Sequence, residues 1–235
     1  MLTLEGLVLD QGGFRLTADM TLPQGLQAAV TGPSGAWKST LLAAVAGFLA
    51  PTEGRILWQG ADITTLPPDR RPVSMLFQDN NLFPHLSAAQ NVGLGIRPSL
   101  KLSDEEHARV EAALAEVELA GFGARKPAAL SGGQQSRVAL ARVMVQDNPI
   151  LLLDEPFAAL GPAMRRDLLQ RVCAHAHSRK ALLLVVTHAP QQAVGLLDQA
   201  VLVAGGRVAP PEPLDALLSN PPPELAAYLG GSEAG

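Results

Sequence analysis

The sequence predicts an α/β fold: a mostly parallel sheet core, an antiparallel β subdomain at the N-terminus and a helical insertion. Three observations carry this. "ILLLDEP" from Ile150 and "ALLLVVTH" from Ala181 are uninterrupted apolar runs of strand length, the pattern of strands covered on both faces. Stretches of helical period alternate with such strands, which favours parallel pairing. The glycine-rich "TGPSGAWKST", Thr31 to Thr40, falls between a strand and a helix.

Taken in order, "LTLEGLVL", "FRLTADMTL" and "LQAAVTG" read as strands, by alternation or by short apolar runs broken by Gly and Pro. "STLLAAVAGF" then turns helical, and "GRILWQG" and "VSMLFQ" return to strand. In "SDEEHARVEAALAEVELA" the residues Val110, Leu114 and Val117 share one helical face. Ser103 can cap that helix, and acidic residues in its first turn complement the dipole. Residues 87–130 are therefore expected to form the helical insertion. "SGGQQSRVALARVMV" is a helix opened by Ser131 and two glycines, and Met164 to His177 is a polar-faced helix. After "AVLVAGGRV" the Pro-rich "APPEPLDALL" and "NPPPELAAYL" predict short helices strapped to the surface.

At 235 residues, 47% hydrophobic and 17% charged, the chain suits one large domain with a sizeable core. A net charge of -4 argues against a nucleic-acid partner, which needs a basic face. The single cysteine, Cys173, forms no intramolecular disulfide and is expected to be a small apolar helix residue in a reducing compartment. "MLTLEGLVLD" has neither the basic start nor the apolar segment of a secretory signal. The longest apolar runs fall far short of the roughly 20 residues that cross a bilayer.

Thr31 to Thr40 nearly matches the phosphate-loop pattern G-x-x-x-x-G-K-[ST], with Trp37 in the second glycine slot. Such a loop wraps phosphates with consecutive backbone N–H groups at a helix N-terminus, where the dipole also favours negative charge. Its lysine reaches the β/γ-phosphates and its hydroxyl ligates Mg²⁺. Gly32, Gly35, Lys38 and Ser39 stand at the right spacing, although a near-match alone is also what an ordinary glycine-rich turn provides. "ILLLDEP" ends a buried strand in two carboxylates: Asp154 could hold Mg²⁺ through water, and Glu155 could orient or deprotonate an attacking water. A solvated acidic turn gives the same letters.

"LSGGQ", Leu130 to Gln134, stands ahead of "SRVALAR" and just upstream of "LLLDEP". With it the chain resembles the ATP-binding-cassette (ABC) ATPases, P-loop NTPases for which this is the signature. Gln78 in "MLFQDNNLFPH" resembles the family's Q-loop glutamine, and His188 in "VVTHAP" its switch histidine. The resemblance implies one ABC ATPase domain over residues 1–235. Its parts would be a RecA-like core at about 1–86 and 131–210, a helical subdomain at about 87–130 and short C-terminal helices at 211–235. It assigns ATP to Gly32, Pro33, Ser34, Gly35, Ala36, Trp37, Lys38, Ser39 and Thr40 of one subunit and to Ser131, Gly132, Gly133 and Gln134 of the other. Catalysis falls to Glu155, His188 and Gln78, and Mg²⁺ to Ser39, Gln78 and Asp154. The implied partners are a second copy in a head-to-tail homodimer, transmembrane permease subunits and, indirectly, a periplasmic solute-binding protein. The place is the cytoplasmic face of the bacterial inner membrane.

Within that family "LPPDRRPVSMLFQDNNLFPHLSAAQNVGLGI", preceded by "LLAAVAGFLAPTEGRI", resembles the ATPase subunits of thiamine importers. Importers of iron, sulfate and polyamines share much of the remainder. Three departures are visible. Trp37 puts an indole where glycine lets the backbone approach phosphate; it must project outward or occupy phosphate space, and intrusion is the expectation, weakening binding and, more, hydrolysis. Gly161 in "FAALG" replaces the aspartate of "SALD", which would loosen coupling between paired sites. Phe14 is the sole aromatic candidate for stacking adenine near the first strand turn, and core packing serves it equally well. The alternative to a working importer motor is therefore a catalytically impaired subunit that keeps the fold. His175 and His177, two apart on a helix, diverge and are not expected to pair on a metal. His85 reads as a loop residue and His107 as a solvated helix position.

Overall fold

The computed structural model describes residues 1–231. The chain opens with an antiparallel pair, β1 (Leu2–Gln11) and β2 (Phe14–Leu22), and then enters the core through β3 (Gln27–Thr31) and α1 (Lys38–Ala46). It returns to the outer sheet with β4 (Glu53–Trp58) and the short β5 (Ala61–Asp62), then re-enters the core at β6 (Val73–Leu76). Helices α2 (Ala88–Gly93), α3 (Asp104–Glu116) and α4 (Gly132–Met144) follow, then β7 (Ile150–Asp154), α5 (Pro162–Ser178) and β8 (Leu182–Val186). The last part holds β9 (Gln199–Ala204), β10 (Arg207–Val208), β11 (Glu212–Pro213), α6 (Leu214–Ser219) and α7 (Pro223–Gly231).

All strands join one sheet in the order β5-β4-β1-β2-β10-β9-β3-β8-β7-β6, with β11 on β9. From β9 to β6 every pairing is parallel, whereas β1 pairs antiparallel with β2 and β4. Strand β10 joins the two parts, parallel to β2 and antiparallel to β9. The apolar runs behave as strands buried on both faces. On β7, Ile150 and Leu152 enter the cluster shared with α1 and the antiparallel strands, while Leu151 and Leu153 enter the cluster shared with α4 and α5. Strand β8 alternates likewise, with Leu182, Leu184 and Val186 on the first side and Leu183 and Val185 on the second. Each such fully buried side chain contributes about 1.5–3 kcal/mol, so these strands anchor the edge from which the site projects.

The helices between residues 87 and 130 pack on α4. Val110, Leu114 and Val117 are buried on one face together with Val138 and Val143. Ser103 caps α3 through a reciprocal box with Glu106, and Ser87 does the same for α2 with Gln90. Arg71 is 5% exposed and closes α1: its guanidinium donates to the carbonyls of Ala44 (2.8 Å) and Val45 (2.9 Å). A cation at a helix C-terminus also offsets the dipole. Gly161 precedes α5 at its N-cap with φ -70° and no side-chain cap, so one α5 N–H goes without the acceptor that an aspartate would supply.

Cys173 is buried on α5, as expected of a small apolar position, and burial pushes its thiol up to about 12, with Asp198 adding to the shift. The native protein at pH 8 is therefore expected to leave a disulfide reagent unreacted until it is unfolded, since the thiolate is the reactive form. Thiol titration with and without denaturant checks this; fast release in the native state would contradict the burial. His175 lies beside Glu116, its Nδ1 3.7 Å from the carboxylate, whereas His177 is exposed. His107 donates from Nδ1 to the Ser103 carbonyl at the start of α3, and His85 lies edge-on to Phe83.

Candidate nucleotide site

Parallel register brings four strand ends to one edge. Val30 on β3 pairs with Val186 on β8, and Asp154 on β7 pairs with the same Val186. Leu76 on β6 pairs with Leu153. The loop from Gly32, the carboxylates Asp154 and Glu155, His188 and the turn holding Gln78 therefore leave the sheet side by side. Ligands bind outside the carboxyl ends of strands in such sheets.

The loop after β3 is shaped by its glycines where shape is demanding. Gly32 has φ +145°, and a Cβ there would fall 2.0 Å from the Val203 carbonyl oxygen. Lys38 opens α1 and is 5% exposed; its Nζ donates to the carbonyls of Gly32 and Pro33, both at 2.8 Å. Ser39 Oγ donates to Asp154 Oδ1 at 3.0 Å. Burial lowers the Lys38 ammonium, while Glu155 and Asp154 draw it back up. Burial raises the Asp154 carboxyl, against the Ser39 hydrogen bond. Neither charge is fully compensated inside the loop. That suits a site built to receive an anionic ligand and a cation together.

Trp37 corrects the expected intrusion. Its backbone keeps the left-handed conformation of the glycine slot, φ 69° and ψ 28°. Its indole turns to the β1–β2 end and stacks on Phe14, with ring centroids 4.7 Å apart and planes 13° from parallel. The structure thus joins two residues that the sequence treats separately, and the indole covers one face of the only aromatic considered for adenine. A left-handed non-glycine residue costs roughly 1–2 kcal/mol, and an aromatic pair returns about 0.5–1.5 kcal/mol. The stack is what offsets the strain.

Glu155 lies just past β7 with φ 48°, and its Oε1 meets His188 Nε2 in a very short contact. The other ring nitrogen, Nδ1, meets the hydroxyl of Tyr228 at 2.5 Å. Tyr228 belongs to α7, and its ring lies 6.0 Å from Lys38 Nζ. The sequence reading missed Tyr228. The one available signal was that "NPPPELAAYL" carries the chain's single tyrosine. Helix α7 is therefore more than a surface strap: Leu225 is fully buried and Tyr228 reaches the site.

Gln78 is exposed in the turn after β6, and among the described residues no hydrogen bond joins its side chain to this cluster. The segment that follows is tied to α4 instead: Arg142 donates to the carbonyls of Asn80 (2.8 Å) and Asn81 (2.9 Å), and Asn80 donates to Ser136 at 3.1 Å. Ser131 caps α4 in a reciprocal box with Gln134 and is exposed. Gly133 has a packing reason, since a Cβ there would meet Leu160 at 2.8 Å. Within one chain the signature segment makes no hydrogen bond to the Gly32–Thr40 loop among the described residues.

Mg²⁺ takes hard oxygen ligands, usually one or two from protein and the rest from water and phosphate. The Ser39 hydroxyl and the buried Asp154 carboxylate, converging from α1 and β7, fit that donor set. No group of three or more His, Cys, Asp or Glu side chains that could hold a metal alone occurs among the described residues.

The family model described as ABC transporter matches residues 17–158. The Thiamine import ATP-binding protein ThiQ of Cereibacter sphaeroides is 55% identical over 230 residues, covering 98% of this chain and 100% of the relative. The protein of the same name from Escherichia coli (strain K12) is 50% identical over 190 residues, 81% of this chain and 82% of the relative. Among solved structures, a dimeric post-hydrolysis state of the ATP-binding cassette MJ0796, bound to ADP and Pi, superposes with a TM-score of 0.80 at 28% identity, covering 91% of this chain and 99% of that one. Phosphate loop, signature turn, paired carboxylates and histidine, in this order along the chain, agree with those similarities: the chain belongs to the ABC transporter family, as an ATP-binding subunit.

Proposed function

We propose that the chain is the ATP-hydrolysing subunit of a bacterial thiamine importer, acting as a head-to-tail homodimer beneath two permease subunits. The observation that carries the reading is the convergence of Lys38, Ser39, Asp154, Glu155 and His188 at one sheet edge, in a chain 55% identical to a thiamine import protein along nearly its whole length. The α1 N-terminus and Lys38 bind the triphosphate, and Ser39 and Asp154 hold Mg²⁺, with Gln78 approaching from the turn after β6. The metal, when bound, neutralises charge that builds up on the phosphoryl oxygens. Glu155 orients the attacking water and accepts its proton, and His188 donates to the phosphoryl group being transferred. Ser131 to Gln134, with Ser131 and Gly132 exposed at the start of α4, supply a second anion-binding helix terminus to the partner's nucleotide.

No helix among the described residues is long and apolar enough to cross a membrane, so contact with the permease is made by the surface. Phe48 (56% exposed) and Phe83 (47% exposed) are large apolar side chains left in the open. Phe48 packs edge-on to Phe77, next to Gln78. This aromatic patch beside the Gln78 turn is the proposed seat of the permease's cytoplasmic helices. It would place the chain peripherally at the cytoplasmic face of the inner membrane.

The test is ATP turnover by the chain reconstituted in vesicles with its permease subunits. Turnover is expected to rise on addition of binding protein loaded with thiamine, and to stay at the basal rate with binding proteins loaded with iron or sulfate. Stimulation by another solute would reassign the substrate while leaving the motor intact.

A further inference from the structure

We propose that Tyr228 is a positioning residue for His188: by holding Nδ1 of the imidazole, it fixes the ring so that an N–H at Nε2 points to the reacting phosphate and to Glu155. The role rests on the ATPase reading above. It extends that reading to a helix outside every motif that identifies the family.

The direction of each proton follows from the partners. The Tyr228 hydroxyl lies 2.5 Å from His188 Nδ1. Burial first, and Glu155 second, raise the phenol further above its ordinary value, so at neutral pH it keeps its proton and can donate it to Nδ1. A neutral imidazole that accepts at Nδ1 carries its hydrogen on Nε2. At the other end of the ring, Nε2 faces Glu155 Oε1, and an ionised carboxylate is an acceptor only. The opposite tautomer would set a nitrogen lone pair against that oxygen. Both ends of the ring therefore select the same state independently.

The helix that delivers the hydroxyl is anchored. Leu225, one turn before Tyr228, is fully buried in the cluster shared with α4 and α5, and Tyr228 and Leu229 pack against the same cluster. The result is an ordered chain of donors, Tyr228 to His188 to Glu155, running from α7 to the catalytic carboxylate. A phosphoryl oxygen arriving between Lys38 and His188 would meet an N–H donor already oriented, in the way that outer partners fix the tautomer of catalytic and metal-bound histidines.

The experiment compares the full chain with Tyr228→Phe, which keeps the ring and removes the hydroxyl. ¹⁵N-labelled histidine spectra are recorded without nucleotide, and the His188 signals are assigned by their loss in His188→Gln. Wild type is expected to show the single Nε2–H tautomer, and Tyr228→Phe a mixture of the two. In steady-state assays Tyr228→Phe is expected to lower kcat about fivefold and to leave KM for ATP within about twofold, the pattern of an interaction made in the transition state. An Nδ1–H tautomer in wild type would overturn the proposal, as would a variant with unchanged spectra and unchanged kcat. A variant with higher kcat and lower KM would overturn it too, because Tyr228 would then be competing with the phosphate. If the spectra change as expected but wild type shows no turnover, the ATPase reading fails and the tautomer assignment stands.

Discussion

Glu155→Gln is expected to cut ATP turnover by about 10²–10⁴-fold, the usual worth of a general base, while ATP binding is retained. The expectation rests on what glutamine preserves. Its side-chain oxygen can still accept from His188 Nε2, as Glu155 Oε1 does, and its size leaves the pairing of β7 with β8 alone. What it loses is the capacity to take a proton from water. Glu155 is also held at φ 48° just beyond the strand, a backbone conformation that costs of order 1–3 kcal/mol and is retained at functional sites. Steady-state hydrolysis gives the first number. The change in tryptophan fluorescence on adding nucleotide, with Trp37 on Phe14 beside Lys38 and Trp58 buried on β4, gives the binding constant in the same samples. A loss of turnover under threefold would remove Glu155 as the base. A parallel loss of binding would make its role structural.

Most of the core was legible because burial on both faces leaves a plain mark: Ile150–Leu153 and Leu182–Val186 cannot be anything but apolar in a covered strand. Ser103 and Ser131 were equally open to reading, since a cap is a local device whose partner stands three residues on; the Ser87 cap was not read. Local letters say less about contacts closed across the chain. The stack of Phe14 on Trp37 joins a hairpin end to the phosphate loop, and neither residue's neighbours in sequence announce it. Tyr228 is 40 residues from His188 and follows a Pro-rich stretch that predicts only short helices. Arg71, two residues before β6, gave no sign that its guanidinium would close α1. In each case a side chain reaches across the fold to satisfy a strained residue, a ring nitrogen or a helix end. Periodicity does not encode such long-range pairings.

Trp37→Gly is expected to leave ATP affinity within about threefold, because the turn that binds phosphate is already formed with tryptophan in place, and to move the thermal midpoint by no more than a few degrees. A phosphate cradle needs the left-handed turn at residue 37, because that turn points the following N–H groups inward at the start of α1. Glycine adopts it without penalty. Tryptophan adopts it at a cost of roughly 1–2 kcal/mol, partly offset by about 0.5–1.5 kcal/mol from the Phe14 stack, so the natural loop holds its shape by a thin margin. Removing the indole relieves the strain and loses the stack together; the two nearly cancel in overall stability. They nearly cancel in binding too, because the turn and the stack that holds it are both formed before nucleotide arrives. Binding tightened tenfold, about 1.4 kcal/mol, would instead mean that the stack does not hold the turn in solution. Calorimetric titration of both proteins at one concentration, paired with thermal melts, separates the two quantities. Equal affinities would mean that Phe14 holds the turn fully, so that Trp37 serves as well as glycine. Weaker binding by the glycine variant would mean that the indole itself contacts the nucleotide, making Trp37 a binding residue and the Phe14 stack its support.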